Sequence, residues 1–396
     1  MYPLSNAKFA DFPPIIRVFS KHFVENYQAL YKAVRKINPG LHIGVILKGN
    51  AYGHGLDVMT QLYNNLPDNI RPKFYILFKS KNVLKIAEFD PKASILLIGP
   101  TDKTQIKAIT PTIKQKNVDL HLAIWSLEQL QELAEFTDFV KFHIFVDTGM
   151  HREGILLQDL PKTLEYCKQN NIAITGLSSH FADADNVLDP NYTKFQEQNY
   201  QEALDMFASY KMPLKYRHIS ASSGLFSARF KENRYNLVRL GLISYGIDSF
   251  FKFLEHSPAR KLKLQPYLGL YSNIVQVKNI NKNAFVGYSK LCKTTRNTRI
   301  GLLPIGYYDG VPMGLSNKGF VKIAGKYARI IGRVSMNITI IDITDIPQAK
   351  IGSEVEIISP NTNDKNSVLN IAKIAGISPY QVLVGLKEEI SRKVVG

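Results

Sequence analysis

Short apolar runs recur through the first part of the chain, with amphipathic segments between them. The runs are HIGVIL (42–47), FYILF (74–78), SILLIG (94–99), VDLHLAI (118–124), FVKFHIFV (139–146), IAITGLS (172–178) and YRHIS (216–220). The segment from Ser20 to Val34 has apolar residues at helical spacing, and Ser20 is its candidate N-cap. About eight alternating strand and helix units predict a parallel sheet closed into a TIM (β/α)8 barrel.

The pattern changes after Tyr245 to short alternating runs separated by Gly, Pro and Asn. These runs are YSNIVQVKNI (271–280), FVKIAGKYARIIGRVSM (320–336), ITIIDITD (338–345) and SEVEIIS (353–359). Alternation of this kind predicts an antiparallel β domain. We therefore expect an α/β fold with a barrel over residues 1–250 and a C-terminal antiparallel β domain over residues 251–396. The sequence places the boundary between them within 245–262.

The composition supports a large folded protein and leaves its partner open. The 396 residues are 45% hydrophobic, and 50 Lys and Arg against 33 Asp and Glu give a net charge of +17. A net positive charge favours anionic ligands and makes nucleic acid a candidate partner. The basic residues are scattered, however, and neither a zinc-finger nor a basic-zipper pattern is present. We expect no nucleic-acid partner.

The chain carries two cysteines, Cys167 and Cys292, without the spacing of metal ligands. So few cysteines, placed far apart, fit a protein of a reducing compartment, and we expect neither a disulfide framework nor a metal site. The N-terminal residues lack the pattern of a signal peptide, and no apolar stretch approaches the ~18 residues of a membrane span. The expectation is a cytoplasmic protein that makes no membrane contact.

Lys48 directly follows the first predicted barrel strand, in the stretch LKGNAYGHG (47–55). Catalytic groups of parallel barrels lie at the C-terminal ends of the strands. A lysine there can act as a nucleophilic amine if its pKa falls below the usual ~10.4. The glycine pattern is not that of a P-loop, which needs GxxxxGK followed by Ser or Thr. Taken alone, Lys48 is better explained as a surface lysine before a turn.

Other polar side chains follow other predicted strands, and their combination points to an active site. They are Asp147 and Arg152 in VDTGMHREG, His180 in LSSHFADAD, Ser222 in HISASSG and Arg239 in VRLGLISYG. Each has a plainer interpretation: a core histidine, a helix cap, or a surface salt bridge. Several strand ends that each supply one polar group are typical of the mouth of a catalytic barrel.

Seven segments, in order, resemble the conserved blocks of the alanine racemases, a pyridoxal-phosphate-dependent family. They are KGNAYGHG (usually KANAYGHG), VDTGMHREG, SSHFADAD, VRLGLISYG, VGYS, PIGYYDG and GRVSMN. Each block is weak by itself, but seven in order are specific, and together they cover nearly the whole chain. The resemblance implies a TIM barrel followed by a β domain, as the apolar pattern predicts.

The resemblance implies that pyridoxal 5'-phosphate binds covalently to the amine of Lys48. Groups implied for its phosphate are the hydroxyls of Tyr52, Ser222 and Tyr380 and the backbone amides of Gly241 and Leu242. Arg239 would face the ring nitrogen, held by His180 and His218. Because a guanidinium stays charged, the ring nitrogen would stay unprotonated, which makes the ring a weaker electron sink.

Racemisation needs one proton-transfer group on each face of Cα, and the resemblance implies Lys48 and Tyr288. Tyrosine has an ordinary pKa near ~10 and needs neighbours that tune it, here His180 and Arg239. In the family, this tyrosine comes from the partner subunit. A homodimer with shared active sites is therefore implied. One among 20 tyrosines, Tyr288 could not be chosen from the residue pattern alone.

For the carboxylate of a small amino-acid substrate, the resemblance implies Arg152 and the backbone of Met336. Tyr307 and Tyr380 would narrow the entrance. The chain departs from the commonest family pattern at Phe145, His151, Glu153, Ala221, Tyr308 and Asn337. Many members have a carbamylated lysine where this chain has Phe145, so we expect another group to support Arg152: an anion, Glu153 or water.

The leading hypothesis is interconversion of L- and D-alanine by a two-base mechanism, supplying D-alanine for peptidoglycan. The departures leave open a racemase acting on serine or on a broader set of amino acids. A non-catalytic pyridoxal-phosphate carrier would lack the β domain that contains Tyr288 and Tyr380. A related decarboxylase would lack the YGHG continuation after the lysine.

Overall fold

The computed structural model describes residues 12–226 and 234–396. They form two compact units. The barrel unit contains Val24–Ala51 and Met59–Leu264, and the sheet unit contains the described residues up to Phe23 together with Tyr52–Val58 and Gln265–Gly396. A stretch of chain just after Lys48 therefore belongs to the sheet unit.

Strands and α-helices alternate through the barrel unit, whereas strands predominate in the sheet unit. The strands are β1 Ile15–Phe19, β2 His42–Ile46, β3 Phe74–Leu77, β4 Ser94–Leu97, β5 Asp119–Ile124, β6 Val140–Asp147, β7 Ile155–Leu156, β8 Ile174–Ser178, β9 Tyr216–His218, β10 Leu237–Leu240, β11 Leu268–Asn273, β12 Gln276–Ile280, β13 Phe285–Val286, β14 Cys292–Lys293, β15 Thr298–Leu303, β16 Phe320–Ile323, β17 Lys326–Ile330, β18 Thr339–Asp342, β19 Glu354–Ile358 and β20 Ser391–Val395. The α-helices are α1 Ser20–Ile37, α2 Lys48–Tyr52, α3 Leu56–Asn64, α4 Asn82–Phe89, α5 Lys103–Lys116, α6 Leu127–Leu133, α7 Leu160–Gln169, α8 Asn191–Ser209, α9 Val368–Ala375 and α10 Pro379–Val384.

Eight parallel strands make the barrel, in the order β10-β2-β3-β4-β5-β6-β8-β9. Their side chains are nearly all buried, because a parallel sheet covered by helices has no face in water. Two backbone hydrogen bonds join the last two strands: Asn236 donates to Arg217 and Arg239 donates to Ser220, both at 3.1 Å. The barrel is thus nearly closed, and all eight C-terminal strand ends lie at one mouth.

The sheet unit contains nine strands in the order β12-β15-β18-β17-β16-β19-β11-β1-β20. All pairings but one are antiparallel, and β1 pairs in parallel with β20. The hairpin of β16 and β17 turns at Ala324 and Gly325, whose φ angles of 46° and 79° suit the tight turns that join twisted strands.

The predicted barrel and antiparallel β domain are confirmed, with local differences. Ser20 is the first residue of α1 and not the residue before it, and its hydroxyl donates to the carbonyl of Val395 at 3.2 Å. The sequence did not predict β1, β15 and β20 of the antiparallel sheet, β10, which completes the barrel, or the short strands β7, β13 and β14. The boundary between residues 250 and 251 remains a prediction. Within residues 12–226 and 234–396, none of the helices combines the length and apolarity of a membrane span.

Candidate active site

The chain leaves β2 in an unusual left-handed turn that begins directly after Lys48. Gly49, Asn50, Ala51 and Tyr52 all have φ between 51° and 62°. Left-handed backbone is unfavourable for residues with a Cβ, so consecutive left-handed residues need support from their surroundings. Ala51 is fully buried and donates its N–H to the carbonyl of Leu47 at 2.9 Å. The turn fixes Lys48 at the C-terminal end of β2.

The surroundings of Lys48 favour its neutral amine. Loss of hydration lowers the pKa of Lys48, and the cations of Arg152 and Arg239 lower it further, while Glu153 opposes them. Burial lowers the pKa of His180, and the cations of Arg239, Arg152 and Lys48 lower it further. Lys48, Arg152, His180 and Arg239 therefore lie within electrostatic reach of one another, as the strand-end argument predicted. The neutral amine is the nucleophilic form of lysine.

Arg239, on β10, is 3% exposed and is held by five acceptors. Its Nη1 donates to the Nδ1 and the carbonyl of His218 at 2.6 and 3.0 Å. Its Nη2 donates to His180 Nδ1 at 3.0 Å and to the carbonyls of Ser179 and Ile219 at 2.5 and 3.0 Å. Burial lowers the pKa of Arg239 to about 10, which leaves it charged at neutral pH.

The loop after β6 carries Arg152 and is organised by Asp147. Asp147 Oδ1 accepts the N–H groups of Gly149 and His151 at 2.8 and 3.1 Å. Gly149, His151 and Gly154 all have positive φ. Arg152 donates from Nε and Nη2 to both carboxylate oxygens of Glu153, the second at 2.6 Å. Glu153 is therefore the group that supports Arg152 in this structure.

Helix α8 contributes a residue that the sequence analysis missed. The Gln196 side chain is fully buried; its Oε1 accepts from the N–H of Ala182 at 2.8 Å and its Nε2 donates to the carbonyl of His180 at 3.0 Å. Nε2 also lies 3.3 Å from the hydroxyl of Thr148. Gln196 thus ties together the loops that carry Arg152 and His180. The available signal was a glutamine among the apolar positions of a predicted amphipathic helix.

Ser222 and Gly241, two of the groups implied for the phosphate, lie together at the ends of β9 and β10. The Ser222 side chain is buried, and its Oγ accepts the N–H of Gly241 at 2.9 Å. The next residue, Leu242, begins a short 3-10 helix that ends at Tyr245. These contacts bring a hydroxyl and the first amides of a helical turn into one place, which suits an anion.

The remaining candidate residues belong to the sheet unit. The rings of Tyr52 and Tyr380 have centroids 5.9 Å apart, and burial raises the pKa of Tyr52. Tyr307 donates its N–H to the carbonyl of Ser335 at 3.0 Å, directly before Met336 in the chain. Tyr288 begins the 3-10 turn Tyr288–Lys290 and is 69% exposed.

Comparisons with known proteins identify the family. The model of the alanine racemase N-terminal domain matches residues 20–249, and the model of its C-terminal domain matches residues 267–394. An alanine racemase of Leptospira interrogans is 30% identical over 388 residues, which cover 95% of this chain and 94% of that relative. The chain belongs to the alanine racemase family. Members of the family are isomerases.

Solved alanine racemases share the fold of this family member. The enzyme from Streptomyces lavendulae superimposes with a TM-score of 0.84 at 22% identity, over 97% of both chains. A structure from Bartonella henselae, described as having covalently bound pyridoxal phosphate, gives a TM-score of 0.79 at 22% identity, over 97% of this chain and 99% of that one. Lys48, Arg152, His180, Ser222 and Arg239 all fall within the match to the alanine racemase N-terminal domain.

Proposed function

We propose that the protein interconverts L- and D-alanine with pyridoxal 5'-phosphate, and that Lys48 and Tyr288 are its two catalytic residues. The observation that carries the proposal is the position of Lys48 at a barrel strand end. There, burial and the cations of Arg152 and Arg239 lower its pKa. Membership of the alanine racemase family supports the choice of reaction.

The donor set of the barrel unit fits this cofactor. Lys48 would hold its aldehyde carbon, and Ser222 with the amides of Gly241 and Leu242 would hold its phosphate. In the sheet unit, Tyr52 and Tyr380 would supply further hydroxyls. Arg239 can only donate hydrogen bonds and remains charged, so it suits an unprotonated ring nitrogen. The Bartonella henselae relative, which is described with this cofactor covalently bound, supports the assignment.

The cofactor, when bound, withdraws electrons from Cα of an attached amino acid and so acidifies its Cα–H bond. The amine of Lys48 would accept or return this proton on one face of Cα. The phenol of Tyr288 would do the same on the other face. Two opposed groups are required because racemisation removes a proton from one face and returns one to the other.

Arg152 would bind the substrate carboxylate, with the backbone at Met336 as a second contact. Arginine suits this role because its planar fork matches a carboxylate. Tyr307 and Tyr380, which are 41% and 37% exposed, would limit the size of the substrate side chain. Asn337 and Ala221, where relatives commonly have aspartate and asparagine, favour racemisation of serine or of a broader set as the second candidate function.

The proposed product also places the protein in metabolism. D-alanine is a component of peptidoglycan precursors, which are made in the cytoplasm. Cys167 and Cys292 are both free thiols, as in proteins of reducing compartments. We infer that the protein works in the cytoplasm as a homodimer and supplies D-alanine for the cell wall.

The experiment that tests the proposal combines a racemisation assay with two variants. Purified protein is incubated with each L-amino acid and the products are separated chirally, which also distinguishes alanine from serine. Lys48→Ala should abolish both racemisation and the borohydride-reducible link to the cofactor. Tyr288→Phe should retain that link but impair proton transfer chiefly for one enantiomer. A reducible link that survives in Lys48→Ala, or full activity of Tyr288→Phe in both directions, would contradict the assignments.

A further inference from the structure

Three buried histidines form a continuous column of hydrogen bonds through the barrel, from Arg239 to Asp119. His218 Nδ1 lies 2.6 Å from Arg239 Nη1, and His218 Nε2 lies 2.8 Å from His143 Nδ1. His143 Nε2 lies 2.9 Å from His121 Nδ1, and His121 Nε2 lies 3.2 Å from Asp119 Oδ1. Arg239 is near the C-terminal end of β10, whereas Asp119 is the first residue of β5. In a parallel barrel, the column therefore joins the two ends.

The chemistry of the two end groups fixes the direction of every hydrogen bond in the column. A guanidinium can only donate, so His218 Nδ1 must accept and its proton must be on Nε2. That proton is donated to His143, whose own proton must then be on Nε2, and the same holds for His121. The last proton is donated to the carboxylate of Asp119, which can only accept when ionised. All three imidazoles thus share one tautomer.

The protein interior keeps the three imidazoles neutral and leaves room for them. The exposure of His121, His143 and His218 is 1%, 0% and 1%. Burial and nearby cations lower the pKa of all three. Tyr216 stacks on His143 at 5.7 Å between ring centroids, and a Cβ on Gly176 would lie 2.5 Å from His143 Nδ1. The glycine makes space for the middle member of the column.

Asp119 supplies the carboxylate at which this column ends. Its pKa is held well below the usual range by hydrogen bonds from His121, Lys141 and Ser94. Among the hydrogen bonds of the described residues, Arg239 contacts histidines and carbonyl groups but no carboxylate. Hydrogen bonds arranged in one direction polarise one another, so a negative charge at one end favours the cation at the other.

We propose that Asp119, His121 and His143 are positioning residues for Arg239. The carboxylate at the far end of the barrel fixes the tautomer of His218, and His218 in turn orients the guanidinium that would face the cofactor ring nitrogen. Groups that fix an imidazole tautomer commonly tune whatever the imidazole contacts on its other side. The inference rests on the proposed function only for the role of Arg239 toward the cofactor. The column itself is independent of that role.

The first test reads the column directly, by solid-state NMR of full-length protein labelled with ¹⁵N in histidine. Wild type should show His121, His143 and His218 protonated on Nε2. Asp119→Leu removes the terminal acceptor and should shift the ¹⁵N signals of all three, although only His121 contacts Asp119. Lys141→Ala removes another partner of the same carboxylate and should leave the His218 signals in place. A proton on Nδ1 of any of the three, or a shift confined to His121, would overturn the proposal.

The second test measures catalysis in a matched pair. Asp119→Asn keeps an acceptor without the charge, and Asp119→Glu keeps the charge. We expect kcat to fall about 3- to 30-fold in Asp119→Asn with KM nearly unchanged, since coupling through such networks is of this size. Asp119→Glu should recover most of the loss. Equal kcat in both variants and wild type would reject the positioning role. If wild type does not racemise, the proposed function fails, while the NMR result still decides whether the column exists.

Discussion

Arg152 is supported by its own chain neighbour. Glu153 accepts both of its donors. Phe145, which stands where many relatives have a carbamylated lysine, is buried, and a Cβ on Gly154 would lie 2.7 Å from Phe145 Cδ1. Glu153 therefore stands beside the arginine in the role that the resemblance assigns to a modified lysine in many relatives. Because the Arg152 side chain is 55% exposed, this pair contributes only about 0–1 kcal/mol to stability. Its main effect is to orient the guanidinium of Arg152.

The role of Arg152 can be tested through KM. Arg152→Ala should raise KM for alanine about 10- to 100-fold, because hydrogen bonds to a charged group are worth roughly 1.5–3 kcal/mol. Glu153→Gln, which keeps the side-chain shape, should raise KM less. Neither variant nor wild type should respond to added bicarbonate in steady-state assays. Bicarbonate-dependent activity, or an unchanged KM in Arg152→Ala, would contradict this account.

The lowered pKa of Lys48 gives a second prediction. Arg152 lowers this pKa and Glu153 raises it. Arg152→Ala should therefore raise the pKa of Lys48, and Glu153→Gln should lower it. NMR titration of cofactor-free protein labelled with ¹³C at lysine Cε measures both shifts. Lys322 is an internal control of opposite sign, because Asp364 raises its pKa. Titration of Lys48 at or above the usual pKa of a lysine would refute the prediction.

The left-handed turn after β2 explains the choice of residues around the amine. The turn spans Gly49 to Tyr52, and only its first residue is glycine. Its other residues carry a Cβ at φ of 51° or 52°. Such backbone costs roughly 1–2 kcal/mol per residue, so the strain must be offset by the burial of Ala51 and Tyr52. Strain next to a reactive group keeps that group in a single orientation.

Gly49→Ala should lower the free energy of unfolding by about 1 kcal/mol, because alanine would occupy left-handed backbone. Gly325→Ala is the matched control, since Gly325 has φ of 79° and no atom within 4 Å of an added Cβ. Both variants should lose similar stability in urea unfolding. Only Gly49→Ala should also reduce the fraction of cofactor trapped on Lys48 by borohydride. Equal trapping in the two variants would show that the turn does not position the amine.

The strands and helices that the sequence predicted correctly have a strong apolar pattern. The seven predicted barrel strands have this pattern because parallel strands are buried on both faces. Among the strands that were missed, β10 has an arginine at its third position, and β1 has partners that lie far along the chain. Neither strand can be recognised from the few residues around it in the sequence. In the sequence, a buried arginine cannot be told from an arginine in a loop. Only the fold shows that five acceptors surround Arg239.

The candidate site was predicted where polar residues follow strands, as with Lys48 and His180. It could not be predicted where polar residues lie within buried elements. His121 and His143 interrupt apolar runs, and Gln196 interrupts an apolar helix face. A single sequence does not say which buried polar groups meet. Buried polar groups are nearly always hydrogen-bonded, so the partners become evident only when the fold brings the elements together.

The two proposed catalytic residues belong to different compact units of one chain. Lys48 is in the barrel unit and Tyr288 is in the sheet unit. Tyr288 is 69% exposed, and its neighbours Phe285 and Leu291 are also exposed, at 54% and 48%. Large exposed apolar side chains close together are typical of an interaction surface. The homodimer implied by the family resemblance would cover this surface and bring Tyr288 to the partner's Lys48.

Subunit mixing tests the shared site. If each site combines Lys48 of one protomer with Tyr288 of the other, a dimer of one Lys48→Ala and one Tyr288→Phe protomer contains one intact site and one doubly defective site. Equimolar mixing with free subunit exchange makes half of the dimers hybrid, so activity should recover to roughly a quarter of wild type. Each variant mixed with itself, and the double variant mixed with either, should show no such recovery. Exchange is verified independently with differently tagged protomers. If tagged hybrids form and activity does not return, Tyr288 does not act across the interface, and both catalytic residues must come from one chain.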